Sequence, residues 1–425
     1  MQVDVPYGGA SLGITVPDEQ LECVVTPREI APAADPAEEI RASIRAPVGT
    51  PPLPELVGPQ EKLCLIVDDI SRPTPVHIVL PVLLEELEAA GVPDTHIRIV
   101  FALGSHRKMT EGEMRARLGG RIFDRYRVGN SEFREPSKLR VLGTSESGVD
   151  IYLDRNVVEA DRRIAVGNIV PHGAAGWSGG AKMIYPGVAS EETVASYHMV
   201  SALIPENILG QIEPKSRTEI ERWVEHVGLD FIVNTILTRE QQLYRVVAGH
   251  YVQAQRLGVR YAEEIYAVPV RRRMDIAVVS SYPAESDFWQ AGKGITGGEL
   301  LVRDGGTLIL VAPCNEGAGP HPTFIEYVGL DEPEKRLHDV MARGVDERGD
   351  EDPLALAVAV LVVRVRRRIN VIVVSPGLAD AEIRRAGFEP AATVREALDV
   401  ALTRYERDAR VGVMTHGGET LVRHE

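Results

Sequence analysis

The sequence predicts an α/β protein of two domains, each built around a largely parallel β-sheet, with the active site in the cleft between them. Two observations support this fold class. Apolar runs of strand length alternate with segments of helical periodicity, the pattern of buried parallel strands joined by crossover helices. A chain of 425 residues is also long enough for two domains. We place the boundary near residue 270, which gives domains over residues 1–269 and 270–425.

The charge balance and the cysteines exclude several classes of protein. A formal net charge of −15 argues against nucleic acid or an anionic membrane as a partner. Cys23, Cys64 and Cys314 lie far apart without a CxxC pair, so they indicate neither a disulfide framework nor a zinc motif. The sequence shows no signal peptide and no apolar run long enough for a membrane span. We therefore expect a cytoplasmic protein.

The first elements of the chain favour a parallel sheet. Short strand-like segments precede a Pro- and Ala-rich stretch with one short helix at Pro36–Ser43. The first buried strand is KLCLIVDD, and a helix over Val76–Ala90 follows, with Gly91 as its C-cap. The next strand is HIRIVFALG, after which Thr110 and Glu113 have the spacing of a capping box. Strands and helices that alternate in this way form crossover units.

Further helices and strands complete both halves. In order, we expect helices at Glu191–Leu203 and Glu219–Val227, a β-hairpin of Asp230–Thr238 with Leu243–Val247, and an amphipathic helix at Ala254–Ile265. Thr218 is the expected N-cap of the second helix, with Glu221 completing a capping box. Beyond residue 270, the segments RRRMDIAVVSS, GGTLILVAP and RRINVIVVSPG read as three buried strands with helices between them.

A glycine-rich loop, PHGAAGWSGGAKMIYPG, follows the strand-like run RIAVG. Its glycines, which include Gly179 and Gly180, let the backbone approach a ligand closely and adopt positive φ. One imidazole, one indole and one amine lie among them, on His172, Trp177 and Lys182. Such a loop can hold a phosphate or a flat cofactor against main-chain N–H groups. It is not a P-loop, because no Ser or Thr follows Lys182.

Polar residues also follow two strands of the first half. Asp69 and Arg72 come after KLCLIVD, where an arginine can grip a carboxylate or phosphate bidentately. His106 follows the next strand, and a histidine there can act as a base near neutral pH. With His172 in a similar position, two imidazoles could serve the two mirror-image forms of one substrate. The alternatives are a surface ion pair and structural histidines.

A third set of polar residues, DFWQAGK, begins a helix of the second half. With Ser286 or Asp287 as N-cap, Gln290 and Lys293 share one helix face. The N-terminus of this helix attracts anions. The alternative is an ordinary amphipathic helix, which the flanking glycines make less favourable.

In this order, the motifs resemble those of the lactate racemase family, the nickel-pincer nucleotide enzymes. The shared order is DxxRP, GSHR, a PHG…GGxK loop, a downstream histidine and QxxK, from about Lys62 to Lys293. The resemblance implies an isomerase that racemises or epimerises a 2-hydroxy acid. It also implies reversible proton-coupled hydride transfer from the substrate Cα to the cofactor, through a 2-keto acid, without a nicotinamide.

The resemblance assigns a role to each cofactor residue. Lys182 matches the lysine that holds pyridinium-3-thioamide-5-thiocarboxylic acid mononucleotide, the nickel-pincer nucleotide, through a thioamide bond. His198 matches the histidine that ligates nickel, and the cofactor's sulfurs and carbon complete the coordination. Four further residues are expected beside the cofactor: Gly179, Gly180, Trp177 and Asp69, the last also orienting Arg72 or a histidine.

The substrate residues follow in the same way. His106 and His172 match the paired acid/base histidines, and Arg72 and Lys293 match groups that hold the substrate carboxylate. Three further residues are expected at the substrate: Ser105, Trp289 and Gln290. The N-terminal domain is then the catalytic and cofactor-binding one, and the C-terminal domain contributes substrate contacts. The expected partners are a 2-hydroxy acid and, transiently, cofactor-synthesis proteins, with a homodimer as a compatible assembly.

Two departures from the family pattern bear on the substrate. Trp289 stands where the lactate enzyme has a tyrosine, and Ser105 replaces a threonine, which favours an acid other than lactate. The loop CNEGAGPH is a candidate pocket wall. Two alternatives make different predictions for these residues. A nicotinamide-dependent 2-hydroxy acid dehydrogenase should carry GxGxxG after the first strand of a domain, which is absent. A non-enzymatic carboxylate-binding protein should have lost Lys182 and His198.

Overall fold

A computed structural model describes residues 1–104, 106–145, 150–343, 349–405 and 408–425. The strands are β1 (Gln2–Tyr7), β2 (Ala10–Thr15), β3 (Leu21–Val25), β4 (Leu63–Asp68), β5 (Ile97–Ala102), β6 (Arg127–Asn130), β7 (Leu139–Thr144), β8 (Asp150–Asp154), β9 (Arg162–Asn168), β10 (Pro171–His172), β11 (Gly176–Trp177), β12 (Phe231–Leu237), β13 (Leu243–Gly249), β14 (Ala267–Val270), β15 (Met274–Ser280), β16 (Val302–Val311), β17 (Asn370–Val374), β18 (Glu389–Pro390), β19 (Val411–Met414) and β20 (Leu421–His424).

The helices lie between these strands. They are α1 (Pro36–Arg45), α2 (Leu53–Leu56), α3 (Val76–Ala89), α4 (Glu111–Leu118), α5 (Gly120–Arg125), α6 (Arg155–Val158), α7 (Glu191–Ala202), α8 (Lys215–Val227), α9 (Gln253–Tyr266), α10 (Phe288–Gly298), α11 (Phe324–Val328), α12 (Pro333–Arg343), α13 (Pro353–Arg366), α14 (Asp380–Arg385) and α15 (Val394–Leu402). Within the described part of the chain, no helix combines the length and apolar character that a membrane span needs.

The first six-stranded sheet has the order β13-β12-β9-β4-β5-β6 and is parallel except for the β12–β13 pair. Every residue of its strand β4 is buried, because helices cover both faces. The carboxyl ends of β4, β5 and β9 therefore meet at one edge of the sheet. This is the edge at which ligands bind in open α/β sheets.

The second six-stranded sheet has the order β18-β17-β16-β15-β19-β3 and is parallel throughout. Its edge strand β3 comes from the N-terminus of the chain, and the β1–β2 hairpin packs on the same sheet. Residues 1–25 thus pack with the second sheet, although the division at residue 270 assigns them to the first domain. One apolar cluster extends from the first sheet to the second, with Ala165 and Leu310 among its members. The predicted α/β class with two largely parallel sheets is confirmed.

Most of the predicted elements are present, with one change at a helix start. The Thr110–Glu113 capping box forms at α4, and Asp287 caps α10. The Thr218 N-cap was wrong: α8 begins at Lys215, and the Thr218 N–H already donates to the Pro214 carbonyl. Ser216 and Arg217 are fully buried, so the first turn of α8 packs against the protein interior and the helix begins before Thr218.

Candidate active site

One cavity of about 480 Å³ joins the two halves of the molecule. The ends of β4, β5 and β9 line it from the first sheet, and α10 and the loop between β19 and β20 line it from the second half. Nine of the predicted site residues line it: Arg72, His106, His172, Gly179, Lys182, His198, Trp289, Gln290 and Lys293. Asp69 lies directly behind this lining, and Ser105 lies outside the described residues. The cleft between the two sheets is therefore where the predicted site residues meet.

His106 is held by the turn that follows β4. Its Nδ1 donates to Asp69 Oδ2 at 2.6 Å, and Arg72 Nη2 lies 3.5 Å from its Nε2. Ser71 fixes the same aspartate, because its backbone N–H and its hydroxyl both donate to Asp69 Oδ1. This arrangement places the proton of a neutral His106 on Nδ1 and leaves the Nε2 lone pair available.

The charges around this pair set its protonation state. Burial by itself would raise the pKa of Asp69, but His106 and Arg72 hold that pKa well below its usual range. Burial lowers the pKa of His106, which Asp69 opposes and Arg72 reinforces. At neutral pH the pair is therefore a carboxylate and a neutral imidazole, the state that a general base requires.

His172 begins the glycine loop and differs from His106 in its hydrogen bonding. Its Nδ1 accepts from the Ala174 N–H at 3.1 Å, so the proton of the neutral ring lies on Nε2. Burial lowers the pKa of His172 well below 6.5, and the cations of Lys182, Lys293 and Arg72 lower it further. The two histidines thus line one cavity with opposite tautomers.

The glycine loop folds back on itself before it reaches Lys182. The β10–β11 pair turns the chain, and Gly179, with a φ of +73°, begins a short 3₁₀ turn over Gly180–Met183. The Gly180 N–H donates to Asn234 Oδ1 at 2.7 Å, which anchors the turn to β12. Burial lowers the pKa of Lys182 from 10.5 to about 7, and Arg72 contributes to this lowering. A large share of the amine therefore lacks its proton near neutral pH.

Two of the loop residues expected at the cofactor lie behind the cavity wall. Trp177 is fully buried in the apolar core, and it is not one of the lining residues. Its carbonyl and that of Gly179 accept hydrogen bonds from the buried Arg217. Gly180 likewise faces the protein interior, where an added Cβ would lie 2.6 Å from the Tyr251 carbonyl. Both residues support the shape of the loop rather than lining the cavity.

His198 projects from α7 into the same cavity. Burial lowers its pKa to about 3, with Lys182 adding to the effect, so the imidazole is neutral. Among the described residues, its ring nitrogens accept and donate no hydrogen bond. The same residues contain no cluster of three or more histidine, cysteine or carboxylate side chains that could hold a metal ion. A metal at His198 would need its remaining ligands from elsewhere.

Helix α10 presents its cation to the cavity from the second half. Asp287 caps the helix by accepting from the Gln290 N–H at 2.8 Å. Lys293 Nζ donates to Gln290 Oε1 at 2.8 Å, so the predicted pair on one helix face is confirmed. Burial lowers the pKa of Lys293 to about 7, with Arg72 next in effect. An anion between Arg72 and Lys293 would restore the proton to the lysine.

Two charged residues that line the cavity were not predicted from the sequence. Asp68 lines it and accepts from Thr74 at 2.5 Å, and Glu419 lines it from the far end of the chain. The predicted wall loop CNEGAGPH does not line the cavity; its His321 lies behind Trp289, with ring centroids 4.3 Å apart and the rings tilted by 34°. Glu419 follows the strand-like RVGVMT and two glycines, the same kind of signal that identified the other post-strand residues.

The comparisons with known proteins agree with the motifs. The chain matches the family model described as "Lactate racemase N-terminal domain" over residues 7–210, and "Lactate racemase C-terminal domain" over residues 270–422. It is 28% identical over 430 residues to the lactate racemase of Thermoanaerobacterium thermosaccharolyticum, covering 100% of this chain and 99% of the relative. It is 28% identical over 428 residues to that of Lactiplantibacillus plantarum, covering 99% of each.

Two solved structures have a similar fold. The lactate racemase apoprotein from Thermoanaerobacterium thermosaccharolyticum superposes with a TM-score of 0.89 at 26% identity, covering 100% of both chains. A Thermotoga maritima protein superposes with a TM-score of 0.71 at 21% identity, covering 92% of this chain and 98% of that one, a likeness of fold.

Proposed function

The chain belongs to the lactate racemase family, and we propose that it racemises or epimerises a 2-hydroxy acid by proton-coupled hydride transfer to a lysine-tethered nickel-pincer nucleotide. One observation carries the proposal: the Lys182 amine, the His198 imidazole, two further imidazoles and the cationic side chains of Arg72 and Lys293 line a single cavity. Both named relatives are lactate racemases, which supports a 2-hydroxy acid as the substrate class.

The cofactor residues fit such a group. The Lys182 amine has a pKa of about 7, so much of it is neutral and able to form a covalent bond. The His198 ring is free of hydrogen bonds to the described residues, which leaves a nitrogen for a metal. Since no multi-residue metal cluster accompanies it there, the organic group would have to supply the other ligands. When bound, the group supplies an acceptor for the hydride on the substrate Cα.

The chain's own residues bind and orient the substrate and move its proton. Arg72 and Lys293 hold the carboxylate from opposite halves of the protein, and Gln290 keeps Lys293 in place. His106 accepts the hydroxyl proton at Nε2, because Asp69 holds its other nitrogen protonated. His172 serves the hydroxyl of the opposite enantiomer, a role for which its proton must lie on Nδ1, in place of the contact with the Ala174 N–H, so that the Nε2 lone pair is free. When the carboxylate is fixed between the two histidines, the substrate hydroxyl is held in a reactive orientation, and this positioning lowers the barrier to proton transfer.

The test is to co-express the chain with cofactor-synthesis proteins and to measure intact mass and bound nickel. Lys182→Ala should abolish the added mass, whereas Lys293→Ala, which removes the other cavity lysine, should keep it. His198→Ala should lower bound nickel, whereas His172→Ala should not. A wild-type protein without an adduct under these conditions would contradict the proposal.

Turnover is then measured with the loaded protein. Single enantiomers of 2-hydroxy acids, followed by polarimetry, should reach the same mixture from either side. A protein that binds these acids without interconverting them would favour the alternative of a carboxylate-binding protein. Consumption of added NAD⁺ would favour the dehydrogenase.

A further inference from the structure

A carboxyl group that the proposed mechanism does not use lines the cavity beside α10. Glu419 belongs to the loop Gly417–Thr420, which follows β19. This loop packs against α10 without space for side chains: a Cβ at Gly297 would lie 2.6 Å from the Gly417 carbonyl. A Cβ at Gly417 would lie 2.4 Å from Val279. The loop therefore holds Glu419 at a fixed place relative to the helix that carries Lys293.

The Glu419 carboxyl is buried with incomplete hydrogen bonding. The residue is 4% exposed, and among the described residues its carboxylate has one hydrogen-bonding side chain, Gln241, whose Nε2 lies at the long distances of 3.3 and 3.4 Å. No salt bridge involves Glu419 in the described part of the chain. Gln241 has a φ of 62°, a conformation rare for residues other than glycine, and its own Oε1 is buried without a partner. A buried carboxyl in this state is stabilised when a ligand donates to it.

We propose that Glu419 is a specificity-determining residue that hydrogen-bonds a substrate hydroxyl beyond the 2-hydroxy acid unit, so that the substrate is a polyhydroxylated 2-hydroxy acid. The proposal rests on the function proposed above and names its substrate class. With a further stereocentre in such an acid, the reaction is an epimerisation.

The charges of the cavity select a hydroxyl over other polar groups. A second carboxylate on the substrate would meet the Glu419 carboxyl, and like charges repel. An ammonium group would meet Arg72, Lys182 and Lys293, which line the same cavity. An apolar tail would cover Glu419 without replacing its hydration. A hydroxyl both donates and accepts, and burial raises the pKa of Glu419 to about 7, so both protonation states of the carboxyl can bind it.

The apolar part of the cavity lies elsewhere. Val358, Leu361 and Val362 of α13 line it, and α13 packs against α7, the helix that carries His198. An added Cβ at Gly292 would lie 3.7 Å from Val362, so this wall and the Glu419 loop flank different sides of α10. The aliphatic wall therefore faces the side of the cavity that holds His198.

Two matched acids test the proposal: 2,3,4-trihydroxybutanoate and 2-hydroxybutanoate, with malate as the dicarboxylate. The loaded wild type should show a kcat/KM for the trihydroxy acid about 10- to 100-fold above that for 2-hydroxybutanoate, the worth of one hydrogen bond to a charged group. Glu419→Leu should lower this ratio at least about tenfold, whereas Glu419→Gln, which still hydrogen-bonds, should lower it less. Glu285→Gln, in a carboxyl that instead accepts from the Gly8 N–H, should leave the ratio unchanged.

Binding to the unloaded protein separates this proposal from the function. Calorimetric titration with the same acids should show the trihydroxy acid binding more tightly to wild type, and the difference should disappear in Glu419→Leu. If the wild type interconverts 2-hydroxybutanoate or malate at least as well as the trihydroxy acid, the proposed role of Glu419 is wrong and the proposed racemase function stands. A wild type that interconverts none of the acids but binds them with the expected preference overturns the function and keeps the subsite. Equal binding of both matched acids overturns the subsite in either case.

Discussion

The unloaded protein should carry an unusually reactive amine on Lys182. The side chain lies in the cavity, and burial together with Arg72 and Arg217 lowers its pKa from 10.5 to about 7. An amine reacts with an acyl donor only in its neutral form. We therefore expect a small acylating reagent at pH 7 to modify Lys182 well before the exposed lysines.

Two opposing factors set how much faster Lys182 is acylated than an ordinary lysine. A pKa of about 7 leaves half of the Lys182 amines neutral at pH 7, against roughly one in three thousand for a pKa of 10.5, a gain of about a thousandfold. A less basic amine is also less nucleophilic: with a Brønsted slope of about 0.4–0.5, as measured for thiols, the loss is roughly thirtyfold. The net advantage is about thirtyfold or more.

The assay is brief acetylation at a series of pH values, followed by peptide mass mapping. The Lys182 rate should level off above about pH 7, as its pKa requires. Lys138 is the internal control, because its ion pair with Glu135 raises its pKa. The pKa of Lys293 is lowered in the same way, so the reagent should acetylate Lys293 as well as Lys182. If Lys182 is acetylated no faster than Lys138 at pH 7, the amine is protonated and the reasoning is refuted.

Four further substitutions test the site and the fold. Asp69→Asn should lower kcat about 100- to 10,000-fold, measured with both enantiomers, because His106 loses the carboxylate that fixes its proton on Nδ1. The pKa of Asp69 is lowered in the folded state, so its contribution to stability is present above about pH 4 and lost on acidification; the variant should thus lose less stability than wild type as the pH falls. Arg72→Lys should raise KM about tenfold in steady-state assays, since lysine cannot bind a carboxylate bidentately. Gly179→Ala should lower the free energy of unfolding in urea by about 2–5 kcal/mol, because the φ of Gly179 is +73° and the added Cβ would lie 2.6 Å from Asn234 Oδ1. Gly91→Ala, with a φ of +82° and nothing within 4 Å, should cost about 1–2 kcal/mol, and equal costs at the two glycines would show that crowding is unimportant.

Local signals predicted the parts of the site that lie close together in the sequence. Asp287 caps α10, and Gln290 and Lys293 meet on one face, because cap and spacing depend on neighbouring residues alone. The strand ends that carry Arg72 and His106 converge because β4 and β5 are parallel neighbours. The sheet order needed for this convergence follows from the alternation of strands and helices.

Long-range packing decided what the sequence could not show. Trp177 resembled a ligand contact in an irregular loop, but the loop turns back at β10–β11, which places the indole in the core. Glu419 has a local signal, its place after a strand, but it reaches the cavity because β19 pairs with β15, and that pairing of distant segments has no local pattern. The insertion of β3 beside β19 depends on the same kind of pairing.

The positive charge in the cavity also explains how loading could prepare the acid/base pair. Burial is the largest cause of the lowered pKa of His172, and Lys182, Lys293 and Arg72 lower it further. Acylation of Lys182 removes its charge, and a substrate carboxylate between Arg72 and Lys293 offsets one further positive charge. Both changes raise the pKa of His172 from its lowered value, so its ring takes up a proton more readily when tether and substrate are in place. Without ligands both histidines are neutral. The ligands themselves then raise the pKa of His172, the histidine assigned to the second enantiomer.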